Sequence, residues 1–167
     1  NTCYKDDYEL LINSGLYKSL CDSKLLIPHQ EADIKLAMTD AAYKVLKPEL
    51  IQFISYPYEW CFSQLKDAAL TTLEIQKRAI DHGMILKDST AYNIQFVNGR
   101  PIFIDTLSFE KYKEGEPWIA YRQFCQHFLA PLSLMSYKNI SLNQLFKIYI
   151  DGIPLDLASS LLPLRTR

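Results

Sequence analysis

Three residues of this chain have the types and spacing that phosphoryl transfer calls for: Asp88, Asn93 five residues on, and Asp105 twelve residues after that. A carboxylate and an amide offer oxygen ligands of the kind Mg²⁺ accepts, and a second carboxylate can orient or deprotonate an attacking hydroxyl. In that scheme Asn93 and Asp105 are the metal ligands and Asp88 is the catalytic base. Each also has a plainer use. Asp88-Ser89-Thr90 is a good turn sequence, and Asn93 can satisfy backbone groups at the start of a strand.

Bringing Asn93 and Asp105 together requires a hairpin, and the sequence between them specifies one. Asn98-Gly99 lies between Ile94-Gln95-Phe96-Val97 and Arg100-Pro101-Ile102-Phe103-Ile104, and a two-residue turn with positive φ at both centres favours that pair. Val97 then faces Arg100, and Pro101 faces Phe96 in a non-hydrogen-bonded pair that tolerates the missing N–H. Counting outward sets Asn93 opposite Ile104 and makes Asp105 its diagonal neighbour, within roughly 5 to 8 Å. A regular ladder would place these two side chains on opposite faces. Sharing a metal therefore requires the pairing to break at that end.

The elements before the hairpin are a helix, a short apolar run and a second, longer helix. Tyr8, Leu11, Ile12, Leu16 and Leu20 recur at helical spacing, with a break at Gly15. Leu25-Leu26-Ile27 and Tyr43-Lys44-Val45-Leu46 suggest a small sheet, and Leu50-Ile51-Gln52-Phe53-Ile54 reads as a strand stopped at Pro57. Ser63 is placed to cap a helix on which Leu65, Ala69, Leu73 and Ile80 form the apolar positions, ending at Gly83. Met84 to Tyr92 reads as a loop. After the hairpin, Pro117 suits the start of a helix of about four turns with Trp118, Tyr121, Phe124, Phe128 and Leu132 as its stripe. His127 within it reads as a core histidine with satisfied nitrogens, and shorter helices follow around Leu142 to Ile150 and Leu155 to Leu162.

Composition narrows the function classes. The 18 basic and 19 acidic residues leave a net charge of -1, which is not the footprint of nucleic-acid binding through phosphate neutralisation. No apolar run approaches the roughly 20 residues of a membrane span, so the expectation is a cytoplasmic protein with no membrane contact. Cys3, Cys21, Cys61 and Cys125 form no C-x-x-C pair and read as buried free thiols.

The order Ile80-Asp81-His82-Gly83-Met84-Ile85-Leu86-Lys87-Asp88, Asn93-Ile94, Phe103-Ile104-Asp105 resembles the helix, catalytic loop and metal-binding strand of the protein-kinase-like superfamily. The resemblance implies an α+β fold with a mostly helical large lobe at 61-167, a truncated small lobe at 1-54 and a hinge at 55-60. It implies Mg²⁺ and ATP as cofactors, with Ser55, Tyr56 and Tyr58 as hinge-like adenine contacts, and a small-molecule or saccharide-like substrate. Two positions depart from the superfamily's pattern: Leu86-Lys87-Asp88 replaces His-Arg-Asp, so the loop-bracing histidine is missing, and Asp105-Thr106-Leu107 replaces Asp-Phe-Gly. Nothing before Tyr4 can supply a glycine-rich loop or a phosphate-holding lysine, so a piece of a longer chain is expected.

A second resemblance points the same way. Phe53 to Phe62, Ala91 to Phe96 and Tyr121 to Phe128 look like the N-terminal region of larger bacterial proteins known as class I S-adenosylmethionine-dependent methyltransferases. With only five glycines and no glycine-rich strand-turn-helix, this chain has no site for S-adenosylmethionine, which would belong to a domain outside it. The two expectations are a kinase-like N-terminal domain of a larger transferase, inactive as this piece, and a non-catalytic substrate- or partner-binding domain of a methyltransferase.

Overall fold

The computed structural model of the chain describes residues 2–164. Helices and small sheets are mixed along it, so the α+β expectation holds at that level. Helix α1 (Lys5–Asn13) and helix α2 (Leu16–Asp22) meet at Gly15, whose φ of 82° makes the break that the apolar spacing implied. Strand β1 (His29–Ala32) pairs antiparallel with β2 (Val45–Pro48), followed by helix α3 (Phe62–Asp81). Strand β3 (Met84–Leu86) leads into the segment containing Asp88, and β4 (Ile94–Val97) and β5 (Arg100–Phe103) form the hairpin. Strand β6 (Phe109–Lys111) returns antiparallel to β3, giving three separate two-stranded sheets among the described residues. Helices α4 (Tyr121–Phe124), α5 (Ala130–Tyr137) and α6 (Leu155–Leu161) complete the order.

The hairpin has the register counted from its turn: Val97 faces Arg100, Phe96 faces Pro101 and Ile94 faces Phe103. Asn98 and Gly99 take φ values of 51° and 76°, the positive pair a two-residue turn of this hand demands. Phe103 also ties the hairpin to the N-terminal third. Its N–H donates to the Leu25 carbonyl at 2.8 Å and its carbonyl accepts from Ile27 N–H at 2.9 Å.

Several expected elements differ. Leu50 to Ile54 is irregular, with Leu50 90% and Phe53 76% exposed, and the expected small sheet pairs Val45–Pro48 with His29–Ala32 in place of Leu25–Ile27, which bonds through its backbone to Phe103 instead. The start of the expected loop, Met84 to Leu86, is a fully buried strand, which becomes extended by pairing with Phe109–Lys111, more than twenty residues on. Ser63 is not the cap of α3. Cys61 precedes the helix and donates its N–H to Gln64 Oε1 at 3.0 Å. On that helix Leu73 and Ile80 are largely exposed, and the buried side is Leu65, Ala68, Ala69, Thr72, Ile75, Gln76 and Ala79. Pro117 lies before the helix, which begins at Tyr121 and includes a π-helical turn, Cys125–Leu129. All four cysteines are free, but Cys3 and Cys61 are exposed and Cys21 and Cys125 are half-buried.

An apolar core joins α1, α2, α3 and strands β3 to β6, with Leu11, Leu20, Leu65, Ile75, Met84, Phe103 and Phe109 in it. Gln76 is a polar exception. Its Oε1 accepts from Leu86 N–H at 2.8 Å, holding β3 against α3, while its Nε2 is buried with no partner. Gln76→Met is expected to lower stability by about 1–2 kcal/mol, because stranding the buried Leu86 N–H outweighs removing one unpartnered amide NH₂; the urea midpoint measures it. No helix among the described residues is long and apolar enough to cross a membrane.

Candidate functional site

Asp105 comes to Asn93 through a break in the ladder on both strands. Ile104 N–H still donates to the Asn93 carbonyl at 2.9 Å, but 3₁₀ turns follow on either side, Ala91–Asn93 and Thr106–Ser108. These turns rotate the two side chains off the alternating pattern and solve the face problem that a regular ladder posed. Asn93 Nδ2 donates to Ser108 Oγ at 3.2 Å, and Ser108 Oγ donates to Asp105 Oδ2 at 2.6 Å. Both predicted ligands thus touch one hydroxyl. Asp105 Oδ1 caps its own turn by accepting from Leu107 N–H at 2.9 Å.

Ser108 also draws in the third residue. Its carbonyl accepts from Lys87 N–H at 2.8 Å, extending the β3–β6 ladder to the position before Asp88. Asp88 Oδ1 in turn accepts from Thr90 N–H at 3.0 Å, a turn-capping bond. Asp88, Asn93 and Asp105 are each half-buried, while Ser108 is 1% exposed. Sequence reasoning passed over Ser108. Its signal is Asp105-Thr106-Leu107-Ser108, an acidic cap with a hydroxyl three residues on, which is easily taken for a turn alone.

Tyr4 is the other residue that periodicity did not single out. Its hydroxyl lies 2.7 Å from the Phe109 carbonyl and 3.1 Å from that of Thr106, and Lys87 Nζ sits 4.5 Å from its ring centroid. Burial and the nearby Asp7 carboxylate push the phenol upward, so it stays a proton donor that pins the Asp105 turn. Glu9 on α1 accepts from the Tyr43 hydroxyl at 2.6 Å and lies 3.8 Å from Lys5, while Lys44 pairs with Glu31.

The hinge-like residues are engaged from within. Ser55 N–H donates to Gln95 Oε1 at 3.0 Å, Gln95 Nε2 donates to the Ser55 carbonyl at 3.1 Å, and Trp60 Nε1 donates to Ser55 Oγ. Tyr56 N–H is taken by Glu59 Oε2, and the Tyr58 carbonyl accepts from Asn143 and Gln144. Adenine recognition through the backbone of Ser55 would first have to displace the buried Gln95. The ring faces are what this segment presents. Tyr56 and Tyr58 stack at 5.4 Å and 12°, lining with Tyr92, Phe146, Lys147 and Ile150 an open cavity of about 360 Å³.

Over 139 residues the chain is 39% identical to nodulation protein NoeA of Rhizobium meliloti (strain 1021). The aligned part is 82% of this chain and 29% of that protein, so the chain spans less than a third of the relative's length. No protein-family model matches the chain, and no solved structure does.

Asn93 and Asp105 each keep oxygen lone pairs that their hydrogen bonds leave unused. With its nitrogen on Ser108, Asn93 keeps its carbonyl oxygen for a ligand, and each Asp105 oxygen, having accepted one hydrogen bond, retains a second lone pair. Among the described residues no group of three or more His, Cys, Asp and Glu side chains could hold a metal ion. Mg²⁺ characteristically uses one or two protein oxygens and completes its shell with phosphates and water.

Proposed function

We propose that this chain is a kinase-like, phosphotransferase-fold domain, the N-terminal domain of a larger bacterial transferase, and that by itself it does not turn over ATP. The observation that carries the reading is the convergence of Asn93 and Asp105 on the Ser108 hydroxyl, beside the segment that bears Asp88. Asn93 and Asp105 would hold Mg²⁺, which, bound with ATP, offsets the negative charge of the phosphates. Ser108 locks the Asp105 carboxylate in place, and Thr90 N–H orients Asp88 to receive the proton of an acceptor hydroxyl. The acceptor is a small molecule or saccharide.

The test is calorimetry of the longer parent protein with ATP, with and without Mg²⁺. Mg²⁺-dependent binding is expected, weakened at least about tenfold in Asp105→Ala, corresponding to the loss of one charge-assisted ligand. No nucleotide binding under either condition would overturn the proposal.

A second reading, a non-catalytic substrate- or partner-binding domain attached to an S-adenosylmethionine-dependent methyltransferase, has its own support. Gln95 occupies the backbone groups through which a kinase hinge would bind adenine, and the stacked Tyr56 and Tyr58, with Lys147 Nζ 5.3 Å from the Tyr58 ring centroid, line an open cavity that a ring-shaped ligand could enter. Nucleotide-independent ligand binding lost in Tyr58→Ala, with calorimetry flat for ATP, is the result that favours it.

A further inference from the structure

His127 is 1% exposed, yet it lies in the one π-helical turn of the described residues, between α4 and α5. Such turns shift the phase of a helix by about one residue and recur where a side chain must be aimed at a site. Here the shift carries the imidazole to the Asp88 segment: Nδ1 is 3.3 Å from Thr90 Oγ1. One helical turn earlier, Gln123 Oε1 accepts from Ser89 N–H at 2.7 Å, and Ser89 Oγ donates to the Ala120 carbonyl at 2.9 Å. The loop is therefore gripped at successive residues from a single helix face.

The opposite edge of the imidazole is fixed as tightly. Gly152 has a φ of 99°, and a Cβ there would stand 2.6 Å from Gln126 Cβ and 3.1 Å from His127 Nε2. Its glycine lets the 151–153 segment close over the ring, where Ile153 N–H donates to the Gln126 carbonyl at 3.0 Å. Tyr92 stands edge-on to the ring and Phe146 lies nearly parallel to it, so the imidazole has little room to turn.

We infer that His127 is the positioning residue of the Asp88 loop, bracing it from the π-turn. Assigning Nδ1 as the acceptor from the Thr90 hydroxyl leaves the proton on Nε2, with the Asp151 backbone as the ring's remaining hydrogen-bond partner. The Thr90 oxygen is then turned to accept from Tyr92 N–H, 3.3 Å away, while Thr90 N–H holds Asp88 Oδ1. Donation runs from Tyr92 N–H through the Thr90 hydroxyl to the imidazole, and a separate bond from the Thr90 backbone N–H reaches the Asp88 carboxylate. Its catalytic consequence rests on the phosphotransfer reading; the loop geometry does not.

Three variants of the parent protein separate this role from simple core filling. Asn reproduces the reach of Nδ1 to Thr90, Gln reproduces the reach of Nε2 to the Asp151 backbone, and Phe keeps ring volume with neither bond. With His127→Phe and His127→Gln, amide exchange of a peptide spanning 88–92 is expected to quicken about tenfold relative to a peptide spanning 94–103. His127→Asn should stay close to wild type. In phosphotransfer assays Phe and Gln should lower kcat about 10- to 100-fold with the KM for ATP within about twofold, again spared in Asn. Equal behaviour of all three variants in exchange overturns the positioning role. The expected exchange pattern in a parent that transfers no phosphate upholds the brace and overturns the phosphotransfer reading.

Discussion

Replacing Phe103 by alanine is expected to cost about 3–5 kcal/mol of folding stability. The side chain is fully buried, packs edge-on to Phe109 with centroids 6.0 Å apart, and sits where the hairpin, the Leu25–Ile27 segment and β6 meet. Emptying that position leaves a cavity among elements held by their own backbone bonds, so little collapse can fill it. Since a domain of this size is stable by roughly 5–15 kcal/mol, the urea midpoint should fall steeply with an unchanged slope. Phe53→Ala is the control. Phe53 is 76% exposed, and its removal should move stability by no more than about 0.5 kcal/mol. Equal losses in the two variants would mean that the hairpin does not dock as described.

Acid should destabilise the protein through His127. Burial drives its imidazole down to about 4, with the Asp88 and Asp151 carboxylates opposing the shift only in part. In the unfolded chain the same ring titrates near 6.5. Between those values the unfolded state binds a proton that the folded state refuses, so stability is complete above about pH 6.5 and is lost as pH falls toward 4. The full loss is on the order of 3 kcal/mol for a shift of this size. Urea midpoints at pH 7, 5.5 and 4.5 measure it. His127→Asn should flatten the decline over that window relative to wild type; an unchanged decline would place the titration elsewhere. His29, also lowered by burial, acts in the same direction and persists in the variant.

What lay in the sequence alone was whatever short-range chemistry could specify. Asn98-Gly99 forces positive φ at two neighbouring residues, and that local demand set the hairpin, its register and the meeting of Asn93 with Ile104. Gly15 and Gly83 ended their helices for the same kind of reason, by adopting φ values of 82° and 72°. The tertiary structure decided what depends on partners distant along the chain. Met84–Leu86 is a strand only because Phe109–Lys111 lies beside it, and Leu50–Ile54, though apolar and β-branched, has no partner and is not one. The convergence of Asn93 and Asp105 required two 3₁₀ turns and the hydroxyl of Ser108, which no periodicity reveals. Gln95, polar within an apolar strand pattern, closes the Ser55 backbone forty residues away, and His127 reaches Thr90 across a π-turn. Local backbone preference therefore placed the candidate ligands just beyond the ends of adjoining strands, while long-range hydrogen bonding in a dry interior aimed them, because a buried donor or acceptor must find its partner wherever the fold supplies one.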